Sequence, residues 1–150
     1  MEWNDILSLV FSSVAFLVSL SFTLIYRSKL LGIQYANAEM VIRTAVSNAR
    51  SRVEDFTLEF AKLPEDLSDE KQEALKKALS SRVENVINTY EEACMKYIDN
   101  KIDKKRFRKS FQKEIRQLVE DTAHEAYFKE PQSHFHAILK LYKEWENLEN

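Results

Sequence analysis

Glycine, proline and cysteine are nearly missing from this chain. Its 150 residues hold one glycine, two prolines and one cysteine, where average usage would supply roughly ten glycines and seven prolines. Tight hairpins, phosphate-cradling loops and dinucleotide-binding turns need glycine at positive φ, so those architectures are excluded. A lone thiol, Cys94, excludes a disulfide framework. Charge of one sign is missing from the first 26 residues, which carry Glu2 and Asp5 but no base. What remains is a chain with 45% hydrophobic and 31% charged residues. That composition folds rather than staying disordered, and its length allows one modest domain of long helices.

The strongest positive signal is Ile6 to Tyr26, ILSLVFSSVAFLVSLSFTLIY, 21 residues without a charge. As a helix it would measure about 31 Å, the thickness of a bilayer's hydrocarbon core. Trp3 and Tyr26 bracket it as interfacial aromatics do. A cleaved signal peptide would have a basic front and a shorter apolar core. The expected organisation is a short outer head (1–5), a transmembrane helix (6–26) and a cytoplasmic helical domain (27–150). Arg27 and Lys29 follow the span and no base precedes it. The positive-inside rule therefore places the amino terminus outside and the carboxyl terminus in the cytoplasm of a single-pass inner or plasma membrane protein. Within the span, Ser8, Ser12, Ala15, Ser19 and Thr23 fall on one helical stripe of small residues. Such a stripe permits close helix approach in lipid, so these residues are candidates for association with a second copy or another membrane protein. Chance alignment of common span residues is the bland alternative.

Beyond the span, no helix breaker precedes Pro64, and Gly32 is the only expected hinge. Ile42, Val46, Ala49, Val53, Phe56, Phe60 and Leu63 step alternately by four and three, the a/d seam of coiled coils and bundles. Pro64 is expected to end this helix near Leu63. Ser68 then reads as the N-cap of a second helix over about 69–99, with Leu75, Leu79, Val83, Val86, Tyr90, Cys94 and Tyr97 inward. Asp103 reads as the cap of a third helix over about 104–129, with Phe107, Phe111, Ile115, Leu118, Thr122 and Ala126 inward. After Pro131 and Ser133, a short fourth helix presents Phe135, Ile138, Tyr142 and Trp145. No stretch alternates with period two, so no sheet is expected. The fold class is all-α: a transmembrane helix continuing into an antiparallel cytoplasmic bundle of three to four helices.

The charges fall in blocks. Residues 54–73 hold two bases and eight acids, and residues 96–116 nine bases and three acids. Helices of ~55 and ~46 Å joined by a short turn would bring Lys101, Lys104, Lys105, Arg106, Arg108 and Lys109 back toward the lipid surface, where each base gains about 1 kcal/mol from anionic headgroups. A merely solvated helix start and a nucleic-acid contact are the competing readings. The second lacks an exposed aromatic platform.

Catalytic and metal patterns are thin. Asp121 and His124 have the i, i+3 spacing of half a di-metal site, but no second such pair exists. His134 and His136 lie two apart and point to different sides of a helix. Arg116 stands too far before His124 for the Arg-x(4–6)-His pattern of all-helical nucleases. Cys94 sits on an apolar stripe and reads as a buried structural thiol. No metal, cofactor or enzymatic activity is expected. A small membrane-anchored hydrolase would require a cleft that joins His124 to carboxylates.

Asn88-Thr89-Tyr90-Glu91-Glu92-Ala93-Cys94, with Tyr97, Ile98, Ile102-Asp103 and Phe107, resembles a segment of a bacterial family of membrane-anchored helical proteins of unknown function. In that family one span precedes a helical region with an Asn-x-Tyr/Phe-Glu-Glu stretch and a later Ile-Asp pair. The resemblance covers roughly 85–120 and implies the same layout; some such proteins occur among phage-related genes, which implies a defence role. Read physically, Tyr90 is core, Glu91 and Glu92 face solvent or Lys96, and Asp103 caps. The expected function is a self-associating, membrane-anchored scaffold or protein-interaction module, with a membrane-tethered nucleic-acid-binding or defence-associated effector as the alternative.

Overall fold

A computed structural model describes residues 3–64, 67–129 and 131–147, with side chains from Ser13 onward. Among them every regular element is helical: α1 (Trp3–Phe60), α2 (Asp69–Ile98), α3 (Lys104–Glu120), a 3₁₀ turn (Thr122–His124), α4 (Glu125–Phe128) and α5 (His136–Asn147). The chain divides into two compact units, residues 1–37 and 38–150.

The first unit is the amino-terminal part of α1, the one helix among the described residues long and apolar enough to cross a membrane. Its large side chains have no protein to pack on: Phe16, Leu17, Phe22 and Leu24 are all exposed. Some of its hydroxyls are turned back on their own helix. Ser21 donates to the Leu17 carbonyl at 2.8 Å and Thr23 to that of Ser19 at 2.9 Å, so these two hydroxyls are satisfied without water. α1 runs helically through Gly32, around which there is open space.

The second unit encloses a core to which all the long helices contribute. Ile42 and Val46 come from α1, Ile87, Tyr90, Cys94 and Tyr97 from α2, Phe107, Phe111 and Ile115 from α3, and Ile138, Leu141 and Trp145 from α5. Contacts step down α2 as they step up α1. Arg50 stands over the Tyr90 ring at 5.6 Å, and Arg82 over the Phe56 ring at 4.1 Å. Aromatic rings tie the helices together. Tyr97 meets both Phe107 and Trp145 at 5.6 Å between ring centres, within the range of favourable edge and tilted contacts.

The turns explain how one glycine suffices. α2 closes through Asn100, whose φ of 57° is the left-handed conformation that usually calls for glycine. The Lys101 amide donates to the Lys96 carbonyl at 2.9 Å and that of Asn100 to Tyr97 at 3.2 Å. Asp103 then caps α3, accepting from the Arg106 amide at 3.0 Å, as its position predicts. Ser68 stands at the N-cap of α2 but its hydroxyl makes no capping bond; its carbonyl accepts from the Gln72 amide.

Four expectations need correction. α1 ends at Phe60, and residues 61–63 form a looser turn before Pro64. The third helix does not reach 129. It stops at Glu120 because Asp121 turns its carboxylate onto the Ala123 amide at 2.9 Å and starts a new 3₁₀ turn. That break leaves Thr122 and Ala126 exposed and brings Phe128 into the core instead. Glu91 does not face solvent or Lys96. Its two oxygens accept from the Ala137 and Ile138 amides at 2.8 and 2.9 Å, satisfying donors at the start of α5 that would otherwise be orphaned. Glu92 is the residue that pairs with Lys96, at 2.8 Å. Finally, Leu79 is exposed, whereas Ile87 and Ala93 of the same helix are buried.

Candidate functional site

The basic cluster gathers at the start of α3. Lys104, Lys105 and Arg106 form its first turn, and no acid accompanies them there. Cations at the positive end of a helix dipole are each disfavoured by roughly 0.3–1 kcal/mol, and the Asp103 carboxylate at the N-cap offsets part of that. Two of the six cations form ion pairs within the chain. Lys101 pairs with Asp99 at 2.8 Å, and Arg106 with Glu39 at 3.1 Å. Glu39 is 7% exposed and also holds Arg43, at 2.9 Å. Arg43 in turn donates to the Ser110 hydroxyl at 2.6 Å. The start of α3 is thereby fixed to residues 39–43, the first turns of α1 within the second unit.

The other four cations, Lys104, Lys105, Arg108 and Lys109, line one open surface depression with Tyr97 and Gln112. No acid lines it. Lys104 Nζ stands 5.0 Å from the centre of the Tyr97 ring, a cation–π distance. Arg108 donates to Gln112 at 3.2 Å. Lys105 and Lys109 are exposed and form no ion pair among the described residues. The floor is stiff, because Tyr97 and Phe107 belong to the aromatic core. The depression can therefore hold a multiply charged anion by several cations at once, with no carboxylate opposing it.

The remaining candidate residues are dispersed. Ala15, Ser19 and Thr23 of the small-residue stripe are exposed along the first unit; the side chains of Ser8 and Ser12 lie outside the described residues. The seam divides into two halves. Ile42, Val46 and Ala49 are buried, Val53 and Phe56 half-buried, and Phe60 and Leu63 exposed. His134 and His136 are exposed. Among the described residues no three His, Cys, Asp or Glu side chains come together as a metal would require. Burial pushes the Cys94 thiol well above its ordinary range, and Glu91 adds to the effect.

His124 lines an open cleft of about 300 Å³ with Arg50, Glu54 and Tyr90, walled by valines, Ile87 and Leu118. Its Nδ1 is buried without a hydrogen-bond partner, 3.7 Å from the Asp121 carboxylate. Nearby, the Tyr90 hydroxyl donates to Glu114 at 2.5 Å, and Arg50 faces the same carboxylate oxygen at 3.3 Å. Burial, reinforced by this hydrogen bond, raises the Tyr90 phenol above its ordinary range. No serine, threonine or cysteine is among the residues lining this cleft. Sequence reasoning missed Glu39 and Glu114. Their only local signal is a lone acid beside a basic stretch.

No family model, curated protein or solved structure matches the chain.

Proposed function

We propose that the chain is a membrane-anchored, non-catalytic interaction module. In this reading residues 6–26 span an inner or plasma membrane with the carboxyl-terminal side in the cytoplasm. The helices of the second unit form an antiparallel bundle that self-associates and touches anionic headgroups through Lys104, Lys105, Arg108 and Lys109. The observation that carries it is the acid-free depression lined by these four cations. Arg106 pairs with Glu39, which follows Tyr26 by 13 positions in the sequence. At about 1 kcal/mol for each base near an anionic surface, four of them supply a contact of useful strength.

The test uses the full chain in lipid nanodiscs and lysine acetylation read by mass spectrometry. Lys105 and Lys109 should react several-fold more slowly in phosphatidylglycerol discs than in phosphatidylcholine discs. The protection should fade with added salt, while Lys76 and Lys77 stay equally reactive throughout. Equal reactivity of Lys105 and Lys109 in both lipids refutes the lipid contact. Protection in phosphatidylcholine discs only after a DNA or RNA duplex is added would favour the nucleic-acid reading, with the steep salt dependence of phosphate binding.

A further inference from the structure

We propose that the basic depression on α3 is a two-point site for an anion that carries two phosphates in one molecule. The inference rests on the membrane-module reading and names the ligand class of the same surface. Lys104 and Lys105 stand in the first turn of α3, and Arg108 and Lys109 follow four residues later, about 6 Å along the axis at 1.5 Å per residue. The four cations thus fall into two pairs, one helical turn apart, around a depression of about 470 Å³. One member of each pair is held by a neighbour. Lys104 lies over the Tyr97 ring, 5.0 Å from its centre, and half-buried Arg108 donates to the Gln112 side-chain carbonyl at 3.2 Å. The other members, Lys105 and Lys109, are exposed.

Charge sets the occupant. None of the four cations forms an ion pair among the described residues, and residues 104–113 contain no acid. The acids next to these residues are engaged. Asp103 accepts from the Arg106 amide at 3.0 Å, Asp99 holds Lys101, and Glu144 of α5 accepts from the Tyr97 hydroxyl at 3.5 Å. None of the three lines the depression. Lys104 with Arg108, and Lys105 with Lys109, are like charges at i, i+4, which repel on a helix face. A single phosphodiester, with one negative charge, answers one pair and leaves the other. Two phosphates joined in one molecule answer both, because binding of the first holds the second at high effective concentration. The ligand class is therefore a phospholipid with two phosphates in its headgroup, or a soluble bisphosphate of the same chemistry. The apolar amino-terminal part of α1, long enough to cross a membrane, favours the lipid as the source.

The experiment uses the full chain in phosphatidylcholine nanodiscs holding increasing amounts of cardiolipin, which carries two phosphates, or of phosphatidylglycerol, which carries one. Acetylation of Lys104, Lys105 and Lys109 is followed by mass spectrometry, with Lys76 and Lys77 as references. Half-protection should need at least tenfold less lipid phosphate as cardiolipin than as phosphatidylglycerol. Arg108→Gln with Lys109→Gln should erase this preference at Lys105, and Lys104→Gln with Lys105→Gln should erase it at Lys109, in chains whose Cys94 stays shielded from maleimide. Arg108→Lys, which keeps the charge, should retain most of it. A preference that survives the loss of either pair overturns the two-point site. Equal protection per phosphate in the two lipids, read in the parent chain and so independent of any variant's folding, also overturns it and leaves the headgroup contact standing. Fructose bisphosphate added to pure phosphatidylcholine discs tests the soluble source. Protection there but in neither anionic lipid keeps the two-phosphate site and overturns the headgroup contact. Protection in no arm refutes both.

Discussion

Glu91 offers the sharpest test of how the second unit is held together. Its carboxylate accepts from two successive backbone amides at the start of α5, at 2.8 and 2.9 Å. A hydrogen bond to a charged group contributes about 1.5–3 kcal/mol, and an anion at a helix amino terminus adds roughly 0.3–1 kcal/mol. Glu91→Gln keeps one carbonyl acceptor and loses the charge, so the expected cost is about 2 kcal/mol. Glu91→Ala loses both bonds, for about 3–4 kcal/mol. The neighbouring Glu92→Gln breaks only a surface i, i+4 pair with Lys96, about 0.3–0.5 kcal/mol. Hydrogen exchange of the full chain in nanodiscs, followed at the Ala137 and Ile138 amides, reads these directly. At 1.36 kcal/mol per tenfold, Glu91→Gln should accelerate exchange roughly 30-fold and Glu91→Ala a few hundred-fold, with Glu92→Gln within about twofold of the parent. Trp145, 2% exposed on α5, gives an independent signal in a Trp3→Phe background, where its emission should move to the red at lower denaturant in both Glu91 variants. Equal exchange in the Glu91→Ala and Glu92→Gln chains would refute the tie between α2 and α5.

Other expectations rest on the same physics. Asn100 holds the left-handed turn after α2; Asn100→Gly should leave stability equal or higher, and Asn100→Ala should lose about 1 kcal/mol by denaturant midpoint. Tyr90 has its phenol raised above the ordinary value of 10 by burial and by Glu114. The unfolded phenol therefore ionises first, so its stabilising contribution is intact below pH 10 and falls as pH rises beyond it. The alkaline decline measured from pH 9 to 11 should be shallower in Tyr90→Phe, and an unchanged slope would discount Tyr90. Cys94 is buried with its thiol raised, so maleimide should label it only under denaturing conditions. Rapid labelling of the native chain would contradict that burial.

What can be read in advance divides by the range of the interaction involved. The apolar run 6–26, the Asp103 cap and the stripe Phe135–Ile138–Trp145 are set by residues within a few positions of one another, and each stands where its local pattern predicts. The break at Asp121 is local too. Aspartate followed by threonine is a capping signal, but Leu118, Thr122 and Ala126 continue a helical spacing across it, and periodicity alone runs over the cap. Glu91 is out of reach for a different reason. Its partners lie 46 and 47 residues away, and the i, i+4 rule has no use for a glutamate whose neighbour Glu92 already faces Lys96. The basic cluster shows both limits together. Its existence is plain in the composition, but its division is not. Whether a cation is spent on Asp99 or Glu39, or left to line an acid-free depression, depends on which carboxylate the fold brings beside it. The same holds for the seam. Spacing marks Ile42 to Leu63 as one surface, and only the packing of α2 and α3 decides that its first half is core while Phe60 and Leu63 stay exposed. The scarcity of glycine belongs to this account. Asn100 supplies the one left-handed turn among the described residues, and Asp103 and Asp121 cap α3 and the 3₁₀ turn beyond it. Side-chain chemistry at the helix ends thus replaces flexible backbone. Asp103→Ala and Asp121→Ala should therefore each lower the denaturant midpoint of this chain more than Gly32→Ala, where an added methyl meets open space.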